Sequence, residues 1–260
     1  MPFFLIIGSI WLVIYLNKKT HFLARLFFNK NKQDILHRFY TANFNYYTLL
    51  DEAEQKNFLL RVTSFLETNQ LKINPQISNT NHKVELLVSA AYAQITFGYE
   101  DYEITSFTKI IVDPDTFYSK LANHQVKGLT VGTGYIFYSW ADFLKGYELK
   151  NDNVNLALHE LAHALYIDRF RDTENPEWQL WETRAAGVLE LEKSNTTTVF
   201  FRAYGKTNLY EFWAATVECF FENPINLKKQ YENLYNSTAG LLKQDMAERL
   251  LLKEKASTIN

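Results

Sequence analysis

The chain opens with its most continuous apolar pattern, Pro2-Phe-Phe-Leu-Ile-Ile-Gly-Ser-Ile-Trp-Leu-Val-Ile-Tyr-Leu16, unbroken by charge. As helix, such a run covers about 22 Å, against roughly 30 Å of bilayer hydrocarbon. Extended to Met1–Asn17, with Lys18 and Lys19 snorkelling, it is just long enough to span. A signal peptide carries basic residues before its apolar run and an Ala-x-Ala-like site after it. Neither is present here, since the lysines follow the run. Residues 1–20 are therefore predicted to be an uncleaved membrane anchor, and Lys18, Lys19 and Arg25 place the body of the protein in the cytoplasm. The alternative is an N-terminal helix packed on the domain or lying in the interface, where Phe22, Leu23, Leu26 and Phe27, at helical spacing, rest on the membrane surface.

Residues 21–44 read as a junction, polar with scattered aromatics over most of its length. From Leu49 a helical period takes over: Leu49, Leu50, Ala53, Phe58, Leu59, Val62, Phe65 and Leu66 step at three and four. Residues 69–82, with Pro75 and several Asn, read as a loop, and Val84–Phe97 as a second buried helix. Phe107–Pro114 is β-rich and stopped by proline. Gly128–Trp140 reads as strand, turn, strand, its three glycines lacking the spacing of a phosphate loop. A strand in this place can offer an edge to which an extended peptide adds.

Helical patterns then fill the remainder. Asn153–Asp168 is apolar on nearly every side, with Asp152 or Asn153 as the expected N-cap. Trp178 and Trp181 lie on a helix reaching about Glu192, and a Ser/Asn/Thr loop follows at 193–199. Leu209–Phe221 is a second apolar helix closed by Pro224, and 226–252 is an amphipathic tail. The predicted fold is α+β: a mainly helical domain over residues 45–252 with a small β-sheet, behind an N-terminal hydrophobic helix.

Composition narrows the function. Hydrophobic content of 47% is ample for a core, and a net charge of −2 argues against a general nucleic-acid binder. The lone Cys219 rules out an internal disulfide and a Cys-rich zinc knuckle, and its apolar helix makes it a small buried hydrophobe. His82 and His124 fall in or beside polar loops, where solvated surface histidines are expected.

The chemistry concentrates in His159-Glu160-Leu161-Ala162-His163. On a helix, positions i and i+4 share a face, so the two imidazoles stand side by side as ligands to one zinc ion. Glu160 can act as general base toward a water at that ion. With only 6 His in 260 residues, chance matches number on the order of one in a hundred such chains. A catalytic zinc takes three protein ligands, and no further histidine closely follows His163. The candidates for the third are Glu211 and Glu218, seven apart on one helix. Glu211 also fits a capping box with Asn208, and Glu218 a salt bridge or a hydrogen bond to a ligand histidine.

Three segments together resemble the Mlc titration factor A family of zinc metallopeptidases, gluzincin-type zincins. They are Asn155-x-x-x-His159-Glu-Leu-Ala-His163, Tyr204-x-x-Thr207-Asn208-x-x-Glu211-Phe-Trp-Ala214, and Glu218-Cys-Phe-Phe-Glu-Asn-Pro224. Tyr135–Trp140 followed by Asp142 matches too, and the likeness covers about residues 45–245. The resemblance implies a zincin-like domain with one zinc ion on His159, His163 and Glu211. It further implies Glu160 as base, Tyr204 as the tyrosine that stabilises the oxyanion, and Glu218 as a supporting residue. Two departures stand out: Tyr166 occupies a position where the family often has aspartate, and Arg202-Ala203 stand where another aspartate is expected.

The expected function is zinc-dependent hydrolysis of peptide bonds in a peptide or protein substrate, with a regulatory protein among the candidate targets and no nucleic-acid partner. The alternative is a membrane-tethered regulatory or binding module with structural zinc.

Overall fold

The computed structural model describes residues 30–77, 81–149, 151–171, 174–194 and 200–259. The expected anchor at 1–20 and the loop residues 195–199 lie outside them. Among the described residues no helix is long and apolar enough to cross a membrane.

The chain divides into two compact units, Met1–Ser64 and Phe65–Asn260. In the first, helices α1 (Lys30–Asn43) and α2 (Asn45–Thr48) precede α3 (Glu52–Thr68), whose last turn runs into the second unit. Of the stretch 21–44 expected as a junction, residues 21–29 lie outside the described residues, and Lys30–Asn43 is helical. Leu36, Tyr40, Phe44 and Tyr47 are buried and recur at four and three, a short stripe that crosses the break between α1 and α2. Tyr40, Phe44 and Tyr47 surround Phe58, with ring centroids 5.4, 5.9 and 5.3 Å away. Asp51 and Glu54 cap α3 reciprocally, each carboxylate accepting the other's backbone amide at 2.8 and 3.0 Å.

The second unit starts with β1 (Gln70–Ile73), a 3-10 turn (Pro75–Ile77) and α4 (Asn81–Thr96). The expected loop at 69–82 therefore contains a strand. Its apolar positions, Leu71 and Ile73, are only half-buried, so the period-2 signal is short and weak. Next come β2 (Lys109–Asp113), β3 (Phe117–Ser119), β4 (His124–Val126), β5 (Gly128–Val131) and β6 (Tyr135–Ser139). Four strands form one sheet in the order β1-β2-β6-β5, and β3 and β4 pair separately. β1, β2 and β6 are parallel, while β5 runs antiparallel to β6 at the edge. The β5–β6 turn needs glycine at 134, where φ is +92°.

α5 (Trp140–Glu148), α6 (Leu156–Arg169) and α7 (Pro176–Ser194) follow, then a 3-10 turn (Tyr204–Lys206) and α8 (Leu209–Glu222). α9 (Pro224–Gln230), α10 (Glu232–Leu242) and α11 (Met246–Ile259) end the chain, so the single amphipathic tail resolves into separate helices. The observed class is α+β and mainly helical. α6 packs against α8, α4, α5 and the edge hairpin β5–β6. Every residue from Ala157 to Leu165 is buried, as an all-apolar helix surface requires.

The start of α6 differs from expectation. Asn155 is the N-cap, its side chain accepting the Leu158 amide at 3.2 Å. Asn151 and Asn153 both have left-handed backbones (φ 62° and 61°), which no first helical turn tolerates, and Asp152 instead accepts the Val154 amide.

Candidate metal centre

α6 and α8 are locked side by side where the Trp213 indole donates to the Ala162 carbonyl at 2.8 Å. At their interface His159 and His163, one turn apart on α6, face Glu211 in the first turn of α8. Three donor atoms converge. His159 Nε2 lies 3.2 Å from His163 Nε2 and 3.1 Å from Glu211 Oε2, and His163 Nε2 lies 3.4 Å from the same oxygen.

The donor set fits zinc. Two ligands about 2.05 Å from a tetrahedral ion stand about 3.3 Å apart. The observed edges of 3.1, 3.2 and 3.4 Å match that triangle. Among the described residues this is the group of His, Cys, Asp or Glu side chains able to hold a metal ion.

The surroundings favour positive charge. Burial alone lowers the His159 pKa, but hydrogen bonds to Glu211 and Glu218 and the nearby charges of Glu218 and Glu160 push it up to about 10. Burial raises the Glu211 carboxyl, yet its hydrogen bonds to the two histidines pull it down to about 2. Glu211 thus presents a carboxylate to the two imidazoles.

Glu218 stands on the other side of His159. Its Oε1 accepts from His159 Nδ1 at 2.7 Å, and Arg202 reaches both of its oxygens at 2.7 Å. The Asn155 amide adds a third contact at 2.6 Å. A carboxylate on Nδ1 fixes the ring and leaves Nε2 to face the metal position. Spacing left Glu211 and Glu218 as rivals; the structure puts one on each side of the same imidazole. Both capping and site roles coexist at the start of α8. Asn208 accepts the Glu211 amide at 2.9 Å, while the Glu211 carboxylate turns to the imidazoles.

Glu160 is 5% exposed and lies against the edge strand. Thr130 Oγ1 is 2.8 Å from its Oε2 and 2.9 Å from its carbonyl oxygen. Gly128 makes room for it, since a Cβ there would sit 2.5 Å from Glu160 Oε1. Burial raises the Glu160 pKa, opposed by the charges of His159 and His163. A raised carboxyl pKa suits a group that must both take and give a proton.

Tyr204 lies in the 3-10 turn before α8, 60% exposed, its ring 6.1 Å from that of His159. Burial of its phenol and the charges of Glu211 and Glu160 push its pKa up to about 12, so it stays a hydrogen-bond donor. Cys219 is buried and unpaired, as expected. The His82 side chain is 98% exposed. Thr130, Gly128 and Tyr210 also border the site. Nothing local in the sequence marks them, because each acts across 30 or more residues or through ring packing.

A histidine pair and a glutamate brought together from two buried helices, with a second glutamate at a strand edge, is an arrangement of the metallopeptidase kind. Residues 19–242 match the model of the glucose-regulated metallo-peptidase M90 family, and the chain belongs to that family. It is the family to which the three sequence segments pointed. The match begins well before residue 45, so α1–α3 lie within the family region. A search of curated proteins found no match.

Proposed function

We propose that the protein is a zinc-dependent peptidase in which His159, His163 and Glu211 hold the ion and Glu160 is the general base. The observation that carries this reading is the 3.1–3.4 Å triangle of donor atoms with a buried carboxylate beside it. Zinc bound there supplies Lewis acidity, polarising a peptide carbonyl and bringing the pKa of water from 15.7 toward about 7.

The chain's own groups do the rest. Glu160, held by Thr130 against Gly128, takes a proton from the attacking water and delivers it to the leaving amine. Tyr204 donates its phenolic hydrogen to the oxygen that gains negative charge. Glu218 keeps His159 oriented throughout. β5, an edge strand beside Glu160, can pair with an extended peptide by backbone hydrogen bonds. The substrate is accordingly a peptide or an exposed protein segment. The apolar run 2–16 with its following basic residues supports attachment to a membrane, the peptidase part on the cytoplasmic side.

The test is cleavage of a mixed peptide library by the full chain, with and without chelator, alongside Glu160→Gln. Chelator-sensitive cleavage that falls at least about 10²-fold in Glu160→Gln, with zinc still bound, is expected. One bound zinc and no cleavage of any peptide would favour the binding module instead.

A further inference from the structure

The two imidazoles of the centre are held by unlike means. His159 Nδ1 meets a carboxylate that Arg202 and the Asn155 amide hold in turn. His163 Nδ1 is buried and has no hydrogen-bond partner among the described residues. Its ring instead lies flat on Tyr210, with centroids 3.9 Å apart and planes 19° from parallel.

Tyr210 is itself braced. Tyr166 meets it edge-on at 5.4 Å and packs on Trp178 at 4.9 Å. Trp178 stacks on Phe170 and Trp181, at 5.1 and 4.9 Å, and both tryptophans meet Trp213 edge-on. The Trp213 indole donates to the α6 carbonyl of Ala162, next to His163. The ladder therefore starts at a site imidazole and closes on the backbone of the same helix.

We propose that Tyr210 is the positioning residue of His163: face-to-face packing, in place of a hydrogen bond at Nδ1, sets the plane of this imidazole and aims Nε2 at the metal. This rests on the zinc reading above. The argument is mechanical. The outer torsion of a histidine is broad, so something must choose its plane. A hydrogen bond at the far nitrogen does this for His159. At His163, where the His159 ring touches only edge-on at 4.7 Å, the face-to-face Tyr210 ring is the group among the described residues in position to do it. Removing a partner that orients a metal-ligating histidine typically weakens metal binding about 10–100-fold.

The experiment is zinc affinity of the full chain by competition with a chromophoric chelator, for the parent, Tyr210→Phe, Tyr210→Leu and Tyr210→Ala. Phenylalanine keeps the aromatic face and removes the hydroxyl; leucine keeps much of the volume without the face. Tyr210→Phe is expected to bind within about threefold of the parent, and Tyr210→Leu and Tyr210→Ala at least about 10-fold more weakly. Thermal midpoints of the metal-free proteins separate this loss from general damage, and Tyr210→Leu carries the test if Tyr210→Ala does not fold. Parent-like affinity in Tyr210→Leu overturns the inference, as does a loss in Tyr210→Phe equal to that in Tyr210→Leu. A parent that binds no zinc overturns the zinc reading itself, and this inference with it.

Discussion

At Glu160 a buried carboxylate must stay close to a strand without being neutralised by it. Thr130 supplies one hydrogen bond and Gly128 supplies space. Gly128→Ala places a methyl carbon 2.5 Å from Glu160 Oε1, so the carboxylate has to turn aside. The expected outcome is a fall in kcat of about 10²-fold or more with zinc affinity unchanged, since a misplaced base loses its catalytic factor. Steady-state kinetics and a zinc titration check it; an unaltered kcat would show that Glu160 does not act from this position. His159, Glu160 and His163 were legible in the sequence because one helical turn relates them. By spacing alone Glu211 was one of two carboxylates, because seven residues cannot tell which side of an imidazole each will reach; the family resemblance pointed to Glu211. Gly128, Thr130 and Tyr210 were not legible, since strand-to-helix proximity and ring stacking leave no local pattern.

The zinc-binding reading depends on where α6 begins. Asn155 caps it through Oδ1, donates from Nδ2 to the Gly146 carbonyl and Glu222, and donates its amide to Glu218. Asn155→Ala loses the cap and both Nδ2 bonds while keeping the amide. A loss of about 2–3 kcal/mol is expected by denaturant unfolding, about 1 from the cap and the remainder from buried groups left without partners. A change under about 0.5 kcal/mol would mean that the cap is dispensable. The long helices were readable from their period, and the β5–β6 hairpin from β-rich runs around glycine. β1 was hidden by its two half-buried apolar positions, and α1 by a short stripe that crosses the break into α2. The N-cap was misplaced by two or three residues because Asp152, Asn153 and Asn155 all have capping side chains, and only backbone geometry separates them.

For the molecule as a whole, α+β character and family membership were legible, the latter because its segments recur in a fixed order. The division after Ser64 was not, since α3 runs through it without a break in pattern. One long-range network gives stability a pH dependence. Burial pushes Glu222 from 4.5 up to about 7, with hydrogen bonds from Asn155 and the Asn151 backbone opposing it. A carboxyl whose folded pKa is raised stabilises the fold in its protonated form. That contribution is complete below about 4.5 and is lost as pH rises through about 7. The metal-free parent should therefore lose about 2 kcal/mol relative to Glu222→Gln between pH 4.5 and 8, after allowance for partial exposure. Parallel pH profiles for the two proteins would remove Glu222 from the account. Deleting residues 1–20 is expected to move the protein from the membrane pellet to the supernatant on fractionation of expressing cells. Equal membrane recovery of both forms would contradict the anchor.

Anomalous scattering at the zinc edge, from crystals of the zinc-loaded protein, tests the centre most directly. The account predicts one peak about 2.0–2.2 Å from His159 Nε2, His163 Nε2 and a Glu211 oxygen. A peak elsewhere, or one at the histidines with Glu211 turned away, would contradict it.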